Sequence, residues 1–409
     1  MSPALEQAFR ESGGRVVSAL AAAFRDLDLA EEAFADACAK AAETWSGDPP
    51  ADPAAWLYAV ARRRGLDRGR RRTTAAAHRP DDPPPAPTPE DHAMSLDDPI
   101  PDERLRLIFV CCHPAVAPEA RAALTLRTVC GLTTAKIAHA FLLPEPTLAQ
   151  RLVRAKRKIA EAGVPFDVPG PERWPERIDA VLSTLEVAYA QAHADAALAG
   201  PHAAFAREVL VLTALLAQLA PDDAEVQALA ATVRLTEARR PARLDARGVM
   251  VPLTDQDVRD WDPALIIEGG AFLSRAARLS QISQRPPGPR ALQAAIHAAH
   301  ASRRITGVTP WRAILGLYDA LLIWRDDPVV RVNRTVALAE VDGAATALAA
   351  LDQTPAPGWL PFHAARADLL ARLGRGDQAV AEYDCALALG PSPAEALFLC
   401  RRRVASLAE

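Results

Sequence analysis

The sequence lacks an apolar stretch long enough to cross a membrane. Its longest strongly apolar run, Val209 to Ala220, contains Gln218 and falls short of the roughly 20 apolar residues that a membrane-spanning helix needs. The N-terminal segment carries acidic residues and has no continuous apolar core, which does not fit a secretion signal or an anchor. We therefore expect a cytoplasmic protein that does not bind a membrane.

Cysteine is also scarce. Six cysteines in 409 residues do not make a disulfide framework. Cys111, Cys112 and His113 are residue types that can hold zinc, but adjacent residues of a helix point about 100° apart. The sequence has no CxxC or HxxxH pair that would complete a tetrahedral site. We expect no metal and no cofactor.

The motifs that mark enzymes are missing as well. The chain has no glycine-rich phosphate loop, no nucleophile elbow and no HExxH sequence. We therefore expect no enzyme and no catalytic residues. No segment alternates like a strand, and the chain from Trp174 to Glu409 is rich in alanine and leucine with helical spacing. The predicted fold class is all-α.

Residues 131–160 predict two short helices joined by a turn that contains proline. Thr133 suits the N-cap of the first helix, and Leu142 to Pro146 form the break. Pro146 suits the first turn of the second helix, where the missing N–H has no helical partner. The pattern is that of a helix-turn-helix. Apolar residues at i, i+4, i+7 and i+11 predict one buried face of the second helix: Leu148, Leu152, Ala155 and Ile159.

Polar and basic residues repeat this spacing on the outward side of the second helix. We label this second helix, predicted over residues 146–160, α7 and call these residues the α7 stripe: Thr147, Gln150, Arg151, Arg154 and Lys158. Hydrogen-bonding groups come first and long cations follow, so the helix start would read bases and the later turns would hold phosphates. A basic amphipathic helix is also an ordinary solvated face, which is the alternative interpretation.

The net charge of −4 gives no overall nucleic-acid signal, but charge is strongly segregated along the chain. Acidic residues share one face of a predicted helix in the N-terminal region: Asp28, Glu31, Glu32 and Asp36. Such a face is either solvated or docked on a basic partner.

A cationic tract with aromatic neighbours follows in the next helix. Trp56 and Tyr58 precede seven arginines and one acid, Asp67; the arginines are Arg62, Arg63, Arg64, Arg68, Arg70, Arg71 and Arg72. This mixture suits phosphate neutralisation beside unstacked bases. An arginine-rich end of an ordinary helix is the alternative.

Composition divides the chain. Residues 74–101 are acidic and rich in proline, which predicts a linker. Residues 360–393 have the small-large-small spacing of a tetratricopeptide hairpin, with its turn at 374–377, and such units bury their faces only against neighbours. We therefore predict an α-solenoid after residue 163. The spacing is carried by Ala367, Leu370, Ala379, Tyr383, Ala386 and Pro391.

The order of these parts resembles the extracytoplasmic-function sigma factors of bacterial RNA polymerase, in the subgroup with a long C-terminal tetratricopeptide-like extension. The segments AWLYAVARRRGLDRGRRR and DLDLAEEAFADA are similar to sigma domain 2. The segment that ends in LTTAKIAHAFLLPEPTLAQRLVRAKRKI is similar to sigma domain 4. The resemblance implies domain 2 at residues 1–73, the linker at 74–101, domain 4 at 102–163 and the extension at 164–409.

The resemblance also implies roles for individual residues. Glu31, Glu32 and Asp36 would face the clamp helices of core RNA polymerase. The loop from Trp45 to Pro53 would capture a flipped promoter base. The α7 stripe would read the distal promoter element as duplex. The melting strand of the nearer element would be held by Trp56, Arg62, Arg63, Arg64, Arg68 and Arg71.

Two functions therefore stay open at this point. The first is a promoter-specificity subunit that binds core polymerase and promoter DNA, with a C-terminal regulatory region that binds polymerase or a protein or peptide ligand. The second is a helix-turn-helix regulator fused to a peptide-sensing solenoid, which would bind duplex DNA without polymerase.

Overall fold

The described part of the chain folds mainly into helices. A computed structural model describes residues 3–45, 49–77, 103–141, 143–166, 174–194, 201–354 and 356–407. Within these ranges the only extended pairing is one isolated bridge between Leu244 and Met250, which confirms the predicted all-α class. No helix in the described part of the chain is long and apolar enough to cross a bilayer.

The helices form two compact units. The first comprises Met1–Ala192 with Gly200–Leu212, and the second comprises His193–Ala199 with Thr213–Glu409. The predicted linker, residues 74–101, lies outside the described residues from position 78 onward, and its first residues continue a helix that ends at Ala77.

The first unit begins with three mutually packed helices, α1 (Pro3–Phe24), α2 (Leu27–Thr44) and α3 (Pro53–Ala77). Asp26 caps α2 by accepting hydrogen bonds from the backbone N–H groups of Asp28 and Leu29 at 2.9 and 3.0 Å. The apolar side of α2 is turned inward, since Phe34, Ala41 and Trp45 are buried. The acidic residues are left on the opposite side.

Four further helices of this unit are α4 (Arg104–Cys111), α5 (Pro118–Thr128), α6 (Thr134–Ala140) and α7 (Glu145–Glu161). Helices α5 and α6 both pack against α7, and α6 with α7 form the predicted helix-turn-helix. The structure confirms the predicted inner face of α7, because its buried residues are Leu148, Leu152, Ala155 and Ile159. Leu142, in the predicted break, lies outside the described residues.

Helix α8 (Trp174–Ala194) packs onto α4 although it follows the predicted end of domain 4. The Arg177 guanidinium donates to the carbonyl oxygen of Phe109 at 3.1 Å, and the Cys112 thiol donates to Thr184 Oγ1 at 3.3 Å. Val181, Leu182 and Leu185 are buried. The first helix of the predicted extension is therefore part of the first compact unit. Helix α9 (Pro201–Leu219) follows it.

In the second unit, helices that follow one another in the chain pack against each other. They are α10 (Ala224–Glu237), α11 (Pro263–Ile282), α12 (Pro289–Ala301), α13 (Arg303–Thr306), α14 (Trp311–Trp324), α15 (Pro328–Asp342), α16 (Ala344–Asp352), α17 (Leu360–Arg372), α18 (Gly376–Ala388) and α19 (Pro393–Ala405). Residues at the predicted repeat positions, including Leu370 and Tyr383, are buried in one cluster. The C-terminal region is helical as expected, and its assignment as a tetratricopeptide-like solenoid stays a prediction.

Candidate nucleic-acid interface

The outward side of α7 presents most of the α7 stripe to solvent. Thr147, Gln150, Arg154 and Lys158 are exposed, and Arg151 is half-buried. Helix α7 follows Pro144, begins at Glu145 and has Pro146 in its first turn. The buried leucines and Ile159 fix the rotation of the helix about its axis, so the stripe points away from the core. The structure thus brings these five residues together on one accessible surface.

Lys158, at the end of the stripe, and its neighbour Arg157 both pair with an exposed acid of the same helix. Lys158 Nζ lies 3.0 Å from Glu161 Oε2, and Arg157 Nε lies 3.2 Å from Glu161 Oε1. The hydrogen bond from Lys158 lowers the pKa of Glu161. Ion pairs this exposed are weak and screened by salt, so a phosphate can replace them.

Lys156, which is not in the α7 stripe, points toward α2. Its Nζ lies 3.0 Å from Asp28 Oδ1 and 2.8 Å from Glu31 Oε2. The Lys156 side chain is only 13% exposed. Burial lowers the pKa of Lys156, but the carboxylates of Glu31 and Asp28 together raise it above its ordinary value. This lysine is therefore a charged tether between the helix-turn-helix and the acidic helix.

Lys156 is not among the residues predicted from the sequence. The only signal was its position next to Ala155, at the border of the apolar face, where a long side chain can lie along a neighbouring helix. Its partners on α2 are more than a hundred residues earlier in the sequence. The helical spacing of residues on α7 cannot predict contacts with so distant a segment.

Helix α3 divides its arginines between solvent and the fold. Arg63 and Arg64 are exposed, and Arg62 is half-buried. Arg68 instead donates to Glu32 Oε2 at 3.1 Å and to Asp36 Oδ2 at 2.8 Å. The side chain of Arg71 lies outside the described residues.

Two tryptophans meet at the start of α3. The Trp45 and Trp56 rings lie edge to face with centroids 5.2 Å apart. Trp56 is half-buried, and Trp45 is buried at the beginning of the loop that was predicted to capture a base. Residues 46–48 of that loop lie outside the described residues.

The three acids predicted to bind polymerase are occupied by cations of the same chain. Glu31 receives Lys156, while Glu32 and Asp36 receive Arg68. The acidic face of α2 is thus more than a solvated surface, because it already holds basic side chains from α7 and α3. The role of these acids toward polymerase stays a prediction.

Cys111 and Cys112 are buried in the protein core. Cys111 Sγ and Thr128 Oγ1 lie 3.4 Å apart in the core. Burial raises the pKa of Cys111 to about 12 and that of Cys112 to about 11, so both thiols are neutral and poor ligands. His113 accepts a hydrogen bond from the backbone N–H of Ala115 at 3.1 Å. The part of the chain that the structure describes contains no group of three His, Cys, Asp or Glu side chains suited to a metal ion.

Comparison with known proteins adds independent information on this region. Residues 106–159 match the family model for sigma-70, region 4, and residues 177–277 match a family of unknown function, DUF6596. A protein of Rhizobium meliloti (strain 1021), named Uncharacterized protein R00370, is 37% identical over 403 residues, which are 94% of this chain and 92% of that protein. No solved structure matches the chain.

The region 4 match covers α4 to α7 except for the two ends of that segment, and it therefore contains the whole α7 stripe. The similarity to the Rhizobium protein extends over nearly all of both chains, including the second unit. The chain therefore belongs to the same family as this Rhizobium meliloti protein, and it carries a region 4 helix-turn-helix of the sigma-70 superfamily at residues 106–159.

Proposed function

We propose that the chain is a sigma factor of the extracytoplasmic-function type, which binds core RNA polymerase and directs initiation at specific promoters. The observation that carries this proposal is the α7 stripe, an exposed row of hydrogen-bonding and cationic side chains on the second helix of a sigma-70 region 4 domain. The chain itself would supply recognition and promoter opening, and polymerase would supply the chemistry.

The order of side chains along α7 supports recognition of duplex DNA. Thr147 and Gln150 lie in the first two turns, where a recognition helix meets base edges in the major groove. Arg154 and Lys158 lie farther along, at a distance suited to the phosphate backbone. Arg151 lies between the two groups and can reach either bases or phosphates.

The surface of α3 supports a role in holding the opened strand. Arg63 and Arg64 are exposed cations about two helical turns from Trp56. The indole N–H of Trp45 is buried and has no hydrogen-bond partner among the described residues, so a donor is available beside the loop at 46–53. A flipped base requires stacking surface, a hydrogen-bond partner and nearby positive charge to offset the loss of base stacking.

Arg68 has a structural role in this proposal. Its guanidinium joins α3 to Glu32 and Asp36 on α2, so it positions the two helices relative to each other. We propose that Glu31, Glu32 and Asp36 form the polymerase-binding face, with Arg68 supporting it from behind.

The second unit is proposed to be a regulatory module with a protein or peptide ligand. Its helices follow one another in space and leave large apolar side chains exposed, among them Ile323 and Trp324 at the end of α14. Exposed aromatic and aliphatic residues are frequent at protein-binding surfaces.

Selection of promoters from a random DNA library with purified core polymerase and the full chain, followed by run-off transcription, tests the proposal. We expect a defined transcript that requires both the chain and polymerase. Duplex binding without any transcript would instead support a helix-turn-helix regulator that works without polymerase.

A further inference from the structure

We propose that residues 243–261 form a strap that fills a basic groove of the second unit, and that an acidic segment of a partner protein displaces this strap. The strap lies between α10 and α11 and consists of turns, one short bridge and a single turn of 3-10 helix. The groove is defined by the residues that hold the strap, which are Arg303, Arg304, Ala394 and Arg401. The inference deepens the proposed function, because it names a site and a ligand class for the proposed regulatory module.

The strap begins with a tight turn that an aspartate organises. Asp245 Oδ1 accepts hydrogen bonds from the backbone N–H groups of Arg247 and Val249 at 2.8 and 2.9 Å. Gly248, inside this turn, has a φ of 76°, in the left-handed region that favours glycine. The second carboxylate oxygen, Asp245 Oδ2, lies 3.2 Å from Arg401 Nη1 on α19. The Val249 N–H first, and then the Arg247 N–H and Arg401, hold the pKa of Asp245 below its ordinary value, so this carboxylate stays charged.

The strap next contacts the start of α19. The backbone N–H of Met250 donates to the carbonyl oxygen of Ala394 at 3.2 Å. Together with the ion pair between Asp245 and Arg401, this hydrogen bond fixes the first half of the strap along α19.

The second half of the strap is held at α13. Arg303 donates to the carbonyl oxygens of Thr254 and Gln256, each at 2.6 Å. Arg304 donates to the carbonyl oxygen of Val258, also at 2.6 Å. Two consecutive arginines thus bind the main chain of the strap at alternate residues, as a receptor binds the main chain of a peptide.

The contacts with α13 and α19 lie close together along the strap. Met250 and Thr254 are only four residues apart, which is a span of at most about 14 Å. Helices α14 to α18 lie between α13 and α19 in the chain, and each of them packs against the next. The stack of helices must therefore curve, and the strap crosses its inner side, where the distance between α13 and α19 is shortest.

The strap supplies one carboxylate to three arginines of the groove. Asp245 pairs with Arg401, whereas Arg303 and Arg304 bind neutral carbonyl oxygens of the strap. A guanidinium group binds a carboxylate more strongly than a neutral carbonyl oxygen, and often through two parallel hydrogen bonds. A segment that brings carboxylates to Arg303 and Arg304 would therefore bind the groove more strongly than the strap does. This charge complementarity indicates an acidic segment as the ligand.

The strap is held mainly by polar contacts near the surface. The Asp245 and Arg401 side chains are 35% and 51% exposed, and an ion pair this exposed is weak and screened by salt. Apart from Val249 and Trp261, every strap residue is exposed or half-buried. A segment that buries so little apolar surface opens at lower cost than a packed helix. Because strap and ligand compete for one groove, the apparent affinity for the ligand falls with the fraction of chains whose groove is open.

The first test offers the groove a copy of the strap as a separate molecule. A released variant of the full chain carries glycine and serine in place of residues 245–258, at equal length, so that the groove and Trp261 are kept. A fluorescent peptide with the sequence of residues 243–261 should bind this variant at least about tenfold more tightly than the natural chain. Fluorescence anisotropy measures both affinities. Equal affinity, or no binding to a released variant of unchanged helix content, would overturn the proposal.

A milder variant covers the case in which the released variant does not fold. Asp245→Asn removes one charge from the strap and leaves the groove intact. It should bind the same peptide about two- to fivefold more tightly than the natural chain, as expected for the loss of an exposed ion pair. Affinity equal to that of the natural chain would overturn the proposal.

Substitutions in the groove test its residues one at a time, in the released variant. Arg303→Met should weaken peptide binding about tenfold, because it removes two hydrogen bonds from a charged donor. Arg401→Met should weaken it about two- to fivefold. Arg403→Met is the matched control, because Arg403 lies on the same helix as Arg401 but pairs with Asp384 on α18, and it should stay within about twofold. Equal losses for Arg401→Met and Arg403→Met would show that general charge, and not the groove, binds the peptide.

The last test concerns the class of ligand and the displacement of the strap. Peptides selected from a random phage-displayed library on the released variant should be enriched in aspartate and glutamate and should lose affinity in Arg303→Met. A selected acidic peptide, added to the natural chain, should speed hydrogen exchange of the Met250 amide, because its bond to Ala394 is lost when the strap leaves. Selection of peptides without acidic residues would overturn the ligand class, and unchanged or slower exchange at Met250 would overturn displacement.

These measurements use neither polymerase nor DNA, so they separate the inference from the sigma-factor assignment. Peptide binding to the groove by a chain that supports no transcription would overturn the proposed function and leave the strap in place. Promoter-specific transcription by a chain whose released variant binds no peptide would overturn the strap alone.

Discussion

The two compact units use their cations in different ways. In the second unit, arginines join neighbouring helices: Arg334 to Asp319 at 2.6 Å, Arg366 to Asp352 at 2.9 Å and Arg403 to Asp384 at 2.6 Å. In the first unit, the side chain of Arg151 on α7 makes no hydrogen bond or ion pair with any residue that the structure describes. Among the described residues, Arg157 and Lys158 pair with Glu161 of their own helix.

These contacts distinguish arginines that stabilise the fold from arginines that remain available to bind DNA. An arginine with an acid on the adjacent helix has already exchanged water for a protein partner, and it holds the fold in register. An arginine without such a partner keeps its hydration and can exchange it for a phosphate or a base. Lys156 and Arg68 lie in the first unit, but both are already paired with acids of α2 and so stabilise the fold.

The largest expected effect comes from the buried side of α7. Leu148→Ala should destabilise the helix-turn-helix by about 2–5 kcal/mol, because Leu148 is fully buried and the lost methyl groups leave a cavity. Hydrogen exchange of α6 and α7 would measure this. Val153→Ala is the control, because Val153 is 65% exposed on the same helix, and it should change stability by less than about 0.5 kcal/mol. Equal effects of the two substitutions would contradict the assigned faces.

The next largest effect is expected for Arg151, a cation that remains available to bind DNA. Arg151→Ala should weaken duplex promoter binding by about 1–3 kcal/mol, because it removes a cation at the centre of the α7 stripe. A titration of labelled duplex at fixed salt would measure it. Arg403→Ala removes the same charge from the second unit, where Arg403 is bound to Asp384, and should leave DNA affinity unchanged. An equal loss in both variants would mean that overall charge, and not the α7 stripe, governs binding.

A third prediction concerns the second unit, where two cations lie near the half-buried His300. Burial first, and then Arg239 and Arg303, lower the pKa of His300 to about 4. The unfolded chain takes up this proton near pH 6.5 and the folded chain does not, so stability is lost as pH falls from 6.5 toward 4. Between pH 6.5 and 5 the loss should be about 1–2 kcal/mol.

Calorimetric unfolding of the second unit at several pH values would measure this loss. His300→Gln keeps a polar side chain of similar length but does not titrate. The difference in pH slope between this variant and the natural chain isolates the histidine from all other groups. Identical slopes would show that His300 does not contribute.

The smallest effect concerns the acidic face of α2. Glu32→Ala should weaken binding to core polymerase by about 1 kcal/mol and leave duplex DNA affinity unchanged, because an exposed charge at the edge of an interface contributes modestly. Glu43→Ala is the control, because it removes an exposed acid from the end of the same helix, outside the proposed face. Unchanged polymerase affinity in Glu32→Ala would show that this face is not the binding surface.

Local periodicity made the helix-turn-helix predictable. The four apolar positions of α7 lie within one helix, so their spacing alone determines which side is buried, and all four are buried in the structure. The all-α class was predictable for the same reason. The break before Pro146 required only the backbone restrictions of proline.

Contacts between distant segments were not predictable. The change in composition near Gly163 suggested a new domain, yet Arg177 and Thr184 on α8 bind α4 of the first unit. An alanine- and leucine-rich helix shows which side is apolar but not which helix covers it. Likewise, seven arginines in one tract look equivalent in sequence, and only the position of α2 distinguishes Arg68 from Arg63 and Arg64.

We propose that this chain opens promoter DNA only together with core polymerase. Permanganate footprinting of a selected promoter tests it, because permanganate oxidises thymines that have become unpaired. We predict reactive thymines in the nearer element when the chain and core polymerase are both present, and none with either component alone. Thymines that stay unreactive in the full mixture, while the chain occupies the duplex, would contradict the account.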